Sequence, residues 1–200
     1  MTQVLEAPRL RLVGALATAA AEKGYAATTI ADIVRHARVS KRTFYEHFAT
    51  KEDCLLAGYQ HVSDLMMAVL RNSSFPSGRH WTERVRAIAA DYLGALEQLP
   101  AVNRALLLEV QAAGAEAYRL RQRNQRRFAE LLCELVEEGR RSGHGEIRPL
   151  TPMLALAIVG GINELMLHAV EPDGRLSVEH PFADLLDPVT ELVTAVLARP

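Results

Sequence analysis

The side chains best placed for chemistry lie between Thr29 and Phe48, in the run TIADIVRHARVSKRTFYEHF. At about 100° per residue, a short helix starting near Ser40 puts Phe44 and Phe48 on its inner side. Arg42 and Glu46 then point outward, flanked by Thr43 and Tyr45, with Lys41 and His47 at the edges. Each of these types has a use in a DNA major groove. Arginine and lysine donate to guanine O6 and N7, threonine meets a thymine methyl or a phosphate, and glutamate accepts from cytosine N4. Thr29, Ser40, Tyr45 and Lys51, with the backbone N–H groups of helix starts, suit phosphate oxygens, which set register without reading sequence. The same residues would also serve as the solvated face of an ordinary small bundle.

Catalytic constellations are missing from the sequence. There is no HExxH, CxxC, P-loop, GxSxG elbow or GxGxxG after a strand. His36, His47, His61, His80, His144, His168 and His180 include no i, i+4 pair suited to a metal. Glu137 and Glu138 are adjacent on a helix and point about 100° apart, so they do not form an acid–base couple. Cys54 and Cys133 are far apart and fit a reducing compartment better than a disulfide framework. The expectation is a protein that is not an enzyme and holds no metal or cofactor.

The elements that must position these residues read as helices throughout. The 200 residues are 49% hydrophobic and 6% aromatic, a balance that favours helix over sheet. Leu10, Val13, Ala17 and Ala20 form a first stripe ended by Gly24, and Ile30, Ile33, Val34 and Ala37 a second. Thr29 with Asp32, and Thr50 with Asp53, read as capping boxes with Asp in the Glu position. Further helices are expected over 51–71, 81–99, 101–113, 115–141, 152–170 and 181–198, the last interrupted at Asp187-Pro188 as a kink or a fresh start. The fold class is all-α with about nine helices. Residues 1–51 would be a three-helix DNA-binding domain and 52–200 a helical body. The first 51 residues hold eight Lys/Arg and four Asp/Glu, a balance of +4, which leaves −5 for the rest and points to an anionic partner for the head. Neither a signal peptide nor an 18-residue apolar run is visible, so a cytoplasmic location without membrane contact is expected.

Residues 28–56 (TTIADIVRHARVSKRTFYEHFATKEDCLL) resemble the N-terminal signature of TetR-family transcriptional regulators. Ile30-Ala31, Val39-Ser40, Thr43-Phe44-Tyr45, Phe48 and Lys51-Glu52 carry the resemblance, as does the preceding Gly24-Tyr25. The family usually has glycine where this chain has Arg38. A non-glycine residue held at positive φ costs on the order of 1 kcal/mol, so either the turn is rearranged or Arg38 gains a phosphate contact. The resemblance implies a ligand-responsive one-component regulator, most often a repressor. Its partners would be a pseudo-palindromic double-stranded DNA operator and a small-molecule inducer, and it would be a homodimer through 152–170 and 181–198.

The residues beyond the head speak less specifically. The segment 152–170 is apolar nearly all round and must be buried on more than one side, in a dimer or a monomeric core. Gly160-Gly161 would let a backbone approach or leave space for a ligand. Tyr92, Tyr118 and Phe128 could line a pocket with the polar Glu109, Gln111, Asn163 and Glu164, although each alone is as well explained as a core aromatic or a wet helix side. The basic run Arg119–Arg127 could bind an anion or form a solvated face. A helical protein–protein adaptor would account for the amphipathic helices but not for the pattern at 40–48.

Overall fold

Local capping explains where the first helices begin and end. The computed structural model describes residues 7–73, 80–98, 110, 114–143, 146–169 and 182–199. Helix α1 (Ala7–Lys23) ends at Gly24, which takes a φ of 80°. Helix α2 (Ile30–Ala37) opens on the expected box, with Thr29 accepting from the Asp32 N–H and the Asp32 carboxylate accepting from the Thr29 N–H at 2.9 Å. Helix α3 (Lys41–His47) is capped by Ser40, and α4 (Lys51–Asn72) by a second box of Thr50 and Asp53. Leu12, Leu16, Ile33, Phe44, Phe48, Cys54 and Leu55 are buried together, so the first turn of α4 belongs to the core of the head.

The body is built from α5 (Trp81–Glu97), α6 (Gly114–Arg141), α7 (Pro152–His168), a short 3-10 turn (Ala183–Leu185) and α8 (Leu186–Leu197). Eight α-helices and no strand occur among the described residues, with a single isolated bridge between Ile147 and Ala198. No helix among them is long and apolar enough to cross a membrane. The 28-residue α6 packs on both α4 and α7, and its Ala117 reaches into the head core. Where α1 crosses α4, Gly58 leaves so little space that a Cβ there would stand 2.7 Å from Val13 Cγ1.

Two expectations about the last helix change in detail. The last helix begins at Leu186 instead of 181, and Pro188 falls inside its first turn, which needs no N–H from that residue. Asp187 does not cap this helix; its carboxylate pairs with Arg86 of α5. The helix expected over 101–113 lies outside the described residues except for buried Val110. Helix α7 divides its glycines: Gly161 faces Leu192 of α8 at 3.1 Å from a notional Cβ, while Gly160 has nothing near it. Gly160 is exposed in one stripe with Met153, Ala157 and Glu164, and Met153 is 75% exposed.

Candidate functional site

The turn between α2 and α3 fixes the direction of the outward-facing side chains. Arg38 adopts φ 54° and ψ 49°, the left-handed region that the sequence departure at this position raises. The turn is therefore kept, not rearranged. Its N–H donates to the Arg35 carbonyl at 3.3 Å, and the Val39 N–H to the Val34 carbonyl at 3.0 Å, the paired bonds of a left-handed helix stop. Ser40 then accepts from the Thr43 N–H at 3.0 Å and starts α3.

Helix α3 is held by two phenylalanines. Phe44 is wholly buried and Phe48 nearly so, their ring centroids 5.8 Å apart. Arg9 of α1, which the sequence reading did not single out, lays its guanidinium 4.8 Å from the Phe48 ring centre. With that side clamped, Lys41, Arg42, Tyr45 and Glu46 are exposed and Thr43 and His47 half-buried. Tyr45 leans edge-on against Phe44, which limits how its hydroxyl can swing. Arg42 and Glu46 sit one turn apart and pair at 3.2 Å while 90% and 55% exposed, so each orients the other on the outer face. An exposed pair of this kind contributes at most about 0.5 kcal/mol and opens readily toward another partner.

The electrostatics of the head reward the caps. A hydrogen bond from Lys23, and then those from Thr29, hold the Asp32 carboxyl well below the usual carboxylate range. His36 lies 3.2 Å from Glu22 and ties α2 to α1. Lys51 is turned inward rather than to the outer face: its ammonium donates to the Thr28 carbonyl at 2.8 Å and the Tyr25 carbonyl at 2.9 Å, and sits over the Tyr25 ring at 4.3 Å. The two carbonyls lie more than 20 positions upstream, so no local pattern announces them.

In the body, two cavities share a wall. The larger, of about 150 Å³, lies among Trp81, Ile88, Leu132, Val136, Val159 and Val193. The smaller, of about 70 Å³, reaches Val62, Ser63 and Arg121. Tyr59, Tyr92, Phe128 and Asn163 line both. Tyr92, Phe128 and Asn163 thus come together as the sequence suggests, with Tyr92 edge-on to Phe128, and burial pushes the Tyr92 phenol well above its ordinary pKa. Tyr118 does not join them. It falls on the outer side of α6, 56% exposed, with Gln122 donating to its hydroxyl. Glu109 and Gln111 lie outside the described residues. Trp81 and Tyr59 are wall residues the sequence reading missed, whereas Arg121 comes from the basic run 119–127 that the sequence offers as an anion binder or a solvated face; only the tertiary packing places them at the chamber. Beside the smaller cavity a polar clasp joins α4 to α6: Arg127 pairs with buried Asp64 at 2.8 Å, and Asn124 donates to Ser63. Among the described residues no group of three His, Cys, Asp or Glu could hold a metal ion.

Residues 12–57 match the family model described as bacterial regulatory proteins, tetR family. Over 84 residues, 42% of the chain, the sequence is 33% identical to an uncharacterized HTH-type transcriptional regulator, YxbF of Bacillus subtilis (strain 168), and the match spans only 22% of that relative. The fatty acid degradation regulator FadR from Bacillus halodurans has a similar fold, with TM-score 0.79 and 20% identity over 98% of this chain and 100% of that one. FadR from Bacillus subtilis, solved in complex with stearoyl-CoA, has TM-score 0.71 and 20% identity, covering 94% of this chain and 98% of its own.

Proposed function

Because residues 12–57 match the tetR family model of bacterial regulatory proteins, we propose that the chain is a ligand-responsive transcriptional repressor of that family. Two heads of a homodimer occupy successive major grooves of a pseudo-palindromic operator, about 34–36 Å apart. The observation that carries this reading is the outer face of α3, where Lys41, Arg42, Tyr45 and Glu46 stand exposed on a helix clamped from behind by Phe44 and Phe48. Arg42 and Lys41 read base edges; Thr29, Arg38, Ser40, Thr43 and Tyr45 contact backbone phosphates; Glu46 and His47 complete the face. Lys51 acts from within, holding the start of α4 to the loop before α2.

The exposed stripe of Met153, Ala157 and Gly160 supports pairing through α7, with α8 beside it, because small residues let a second helix approach closely. A small molecule in the chamber lined by Tyr92, Phe128 and Asn163 releases DNA by favouring a head spacing that does not match the grooves. It can shift that balance only by its differential affinity for the two conformers. The similarly folded FadR with stearoyl-CoA supports a ligand site in a body of this architecture.

Fluorescence anisotropy on DNA from the gene's own upstream region, against random duplex at two salt concentrations, tests the proposal. Tight, salt-sensitive binding that strongly prefers a specific fragment is expected. If ligand-stripped protein shows no preference across a genome-wide fragment pool, the DNA-reading function is wrong.

A further inference from the structure

Building on the chamber as the ligand site, we infer that its ligand is an amphiphilic acid, with its apolar body against Trp81 and its single anionic head held by Arg121. The two ends of the chamber differ in kind. At one end Trp81, Val85, Val136, Ile147, Val193 and Leu197 pack as an apolar group and line the larger cavity. Its volume of about 150 Å³ is that of a site able to accept a benzene-sized body.

At the other end the smaller cavity, of about 70 Å³, offers the space of roughly two water molecules, enough for a carboxylate. The polar groups there are mostly committed. Ser63 donates to the Tyr59 carbonyl at 2.8 Å and accepts from Asn124 at 3.1 Å. Asp64, the acid of that region, is taken by Arg127 at 2.8 Å and by Gln60 at 2.9 Å. Arg121 is different. Arg121 lines the cavity and is half-buried, and its guanidinium has no hydrogen-bond or ion-pair partner among the described residues. Arg84, the arginine on the wall of the larger cavity, is already engaged within the fold.

A cation half-withdrawn from water beside a cavity is stabilised by an anion that follows it there, and hydrogen bonds to charged groups are stronger than neutral ones. The apolar end gains by the area its occupant removes from water. Between them, Asn163 on the shared wall supplies a neutral hydrogen-bonding group near the junction of head and body. An uncharged apolar ligand leaves Arg121 unanswered, and a cationic one is repelled by it.

The chain has a single tryptophan, and it lies in the apolar wall, so the protein reports on its own chamber. Full-length protein without DNA is titrated with octanoate, 1-octanol and octylamine while Trp81 fluorescence is read. Octanoate is expected to bind about tenfold or more tightly than octanol, and octylamine weakest of the three. In Arg121→Gln, octanoate falls to the level of octanol while octanol is unchanged, and Arg121→Lys recovers part of the difference. Unaltered melting of both variants confirms that the fold is kept. Equal affinity for octanoate and octanol, an Arg121→Gln variant that binds octanoate as before, or no octanoate binding at millimolar concentration overturns the inference. The DNA reading is judged separately: octanoate that binds as described without releasing operator supports this ligand class and removes the inducer role.

Discussion

Replacing Arg38 by glycine separates two roles that this residue holds together. Its left-handed backbone, φ 54° and ψ 49°, costs an L-residue about 1–2 kcal/mol. Glycine removes that strain but gives the unfolded chain extra freedom, opposing the gain by about 0.4–1 kcal/mol. The bonds that close the turn, from Arg38 N–H to Arg35 and from Val39 N–H to Val34, involve backbone only and survive the change. The expected net effect is a stabilisation of about 0.5–1 kcal/mol, or about 1–4 °C in a chain of this length. Loss of the exposed guanidinium should at the same time weaken DNA binding and lower the salt slope by about one. Arg38→Ala supplies the control, because it removes the cation and keeps the strain. Denaturant midpoints by circular dichroism measure the first effect, and anisotropy against log salt the second. A glycine variant no more stable than the alanine variant would refute the strain argument, and an unchanged salt slope the phosphate contact.

Other substitutions test neighbouring parts. Arg42→Ala should cost about 1–3 kcal/mol on the specific site and relax preference at one base position, and equal loss on random duplex would contradict base reading. Lys51→Met should lower the melting temperature of the head by removing donors from the Tyr25 and Thr28 carbonyls, a loss of about 1–3 kcal/mol, while leaving the salt slope of DNA binding unchanged. Asp32 has a depressed pKa in the folded protein, so its contribution is full above the unfolded value of 3.8 and drains away as pH falls below it. Denaturation between pH 6 and pH 2.5 should accordingly show a shallower acid limb for Asp32→Asn. Gly160→Gln, on the exposed stripe of α7, should raise the dimer dissociation constant in analytical ultracentrifugation without changing helix content.

What could be read from the sequence was what depends on residues within a turn of one another. Both capping boxes formed where Thr29–Asp32 and Thr50–Asp53 placed them, and the burial of Phe44 and Phe48 follows from their spacing alone. Arg38 belongs to the same class, since its strain follows from the length of the turn. Lys51 does not, because its carbonyl partners are fixed by how α1 folds back on the head. Tyr118 and Arg121 sit within one turn of the same long helix, yet one faces water and the other the chamber. The phase of α6 is set by what α4 and α7 present to it, so hydrophobic periodicity there, diluted by arginines on several sides, could not choose between them. The pairing of Arg86 with Asp187 spans 101 positions, and for the same reason the capping reading of Asp187 failed.

The bare Cα of Gly58 sets how motion can pass through the molecule. Val13 of α1 rests directly on it, and the very next residue, Tyr59, forms part of the wall common to both cavities. Seat and wall therefore occupy one turn of one helix, with no intervening layer of side chains to absorb a displacement. A joint without backlash turns both its arms together. Under the proposed ligand response, widening the space beside Tyr59 would tilt the surface on which α1 stands, and the head, packed as a unit around Leu12, Leu16 and Phe44, would travel with it.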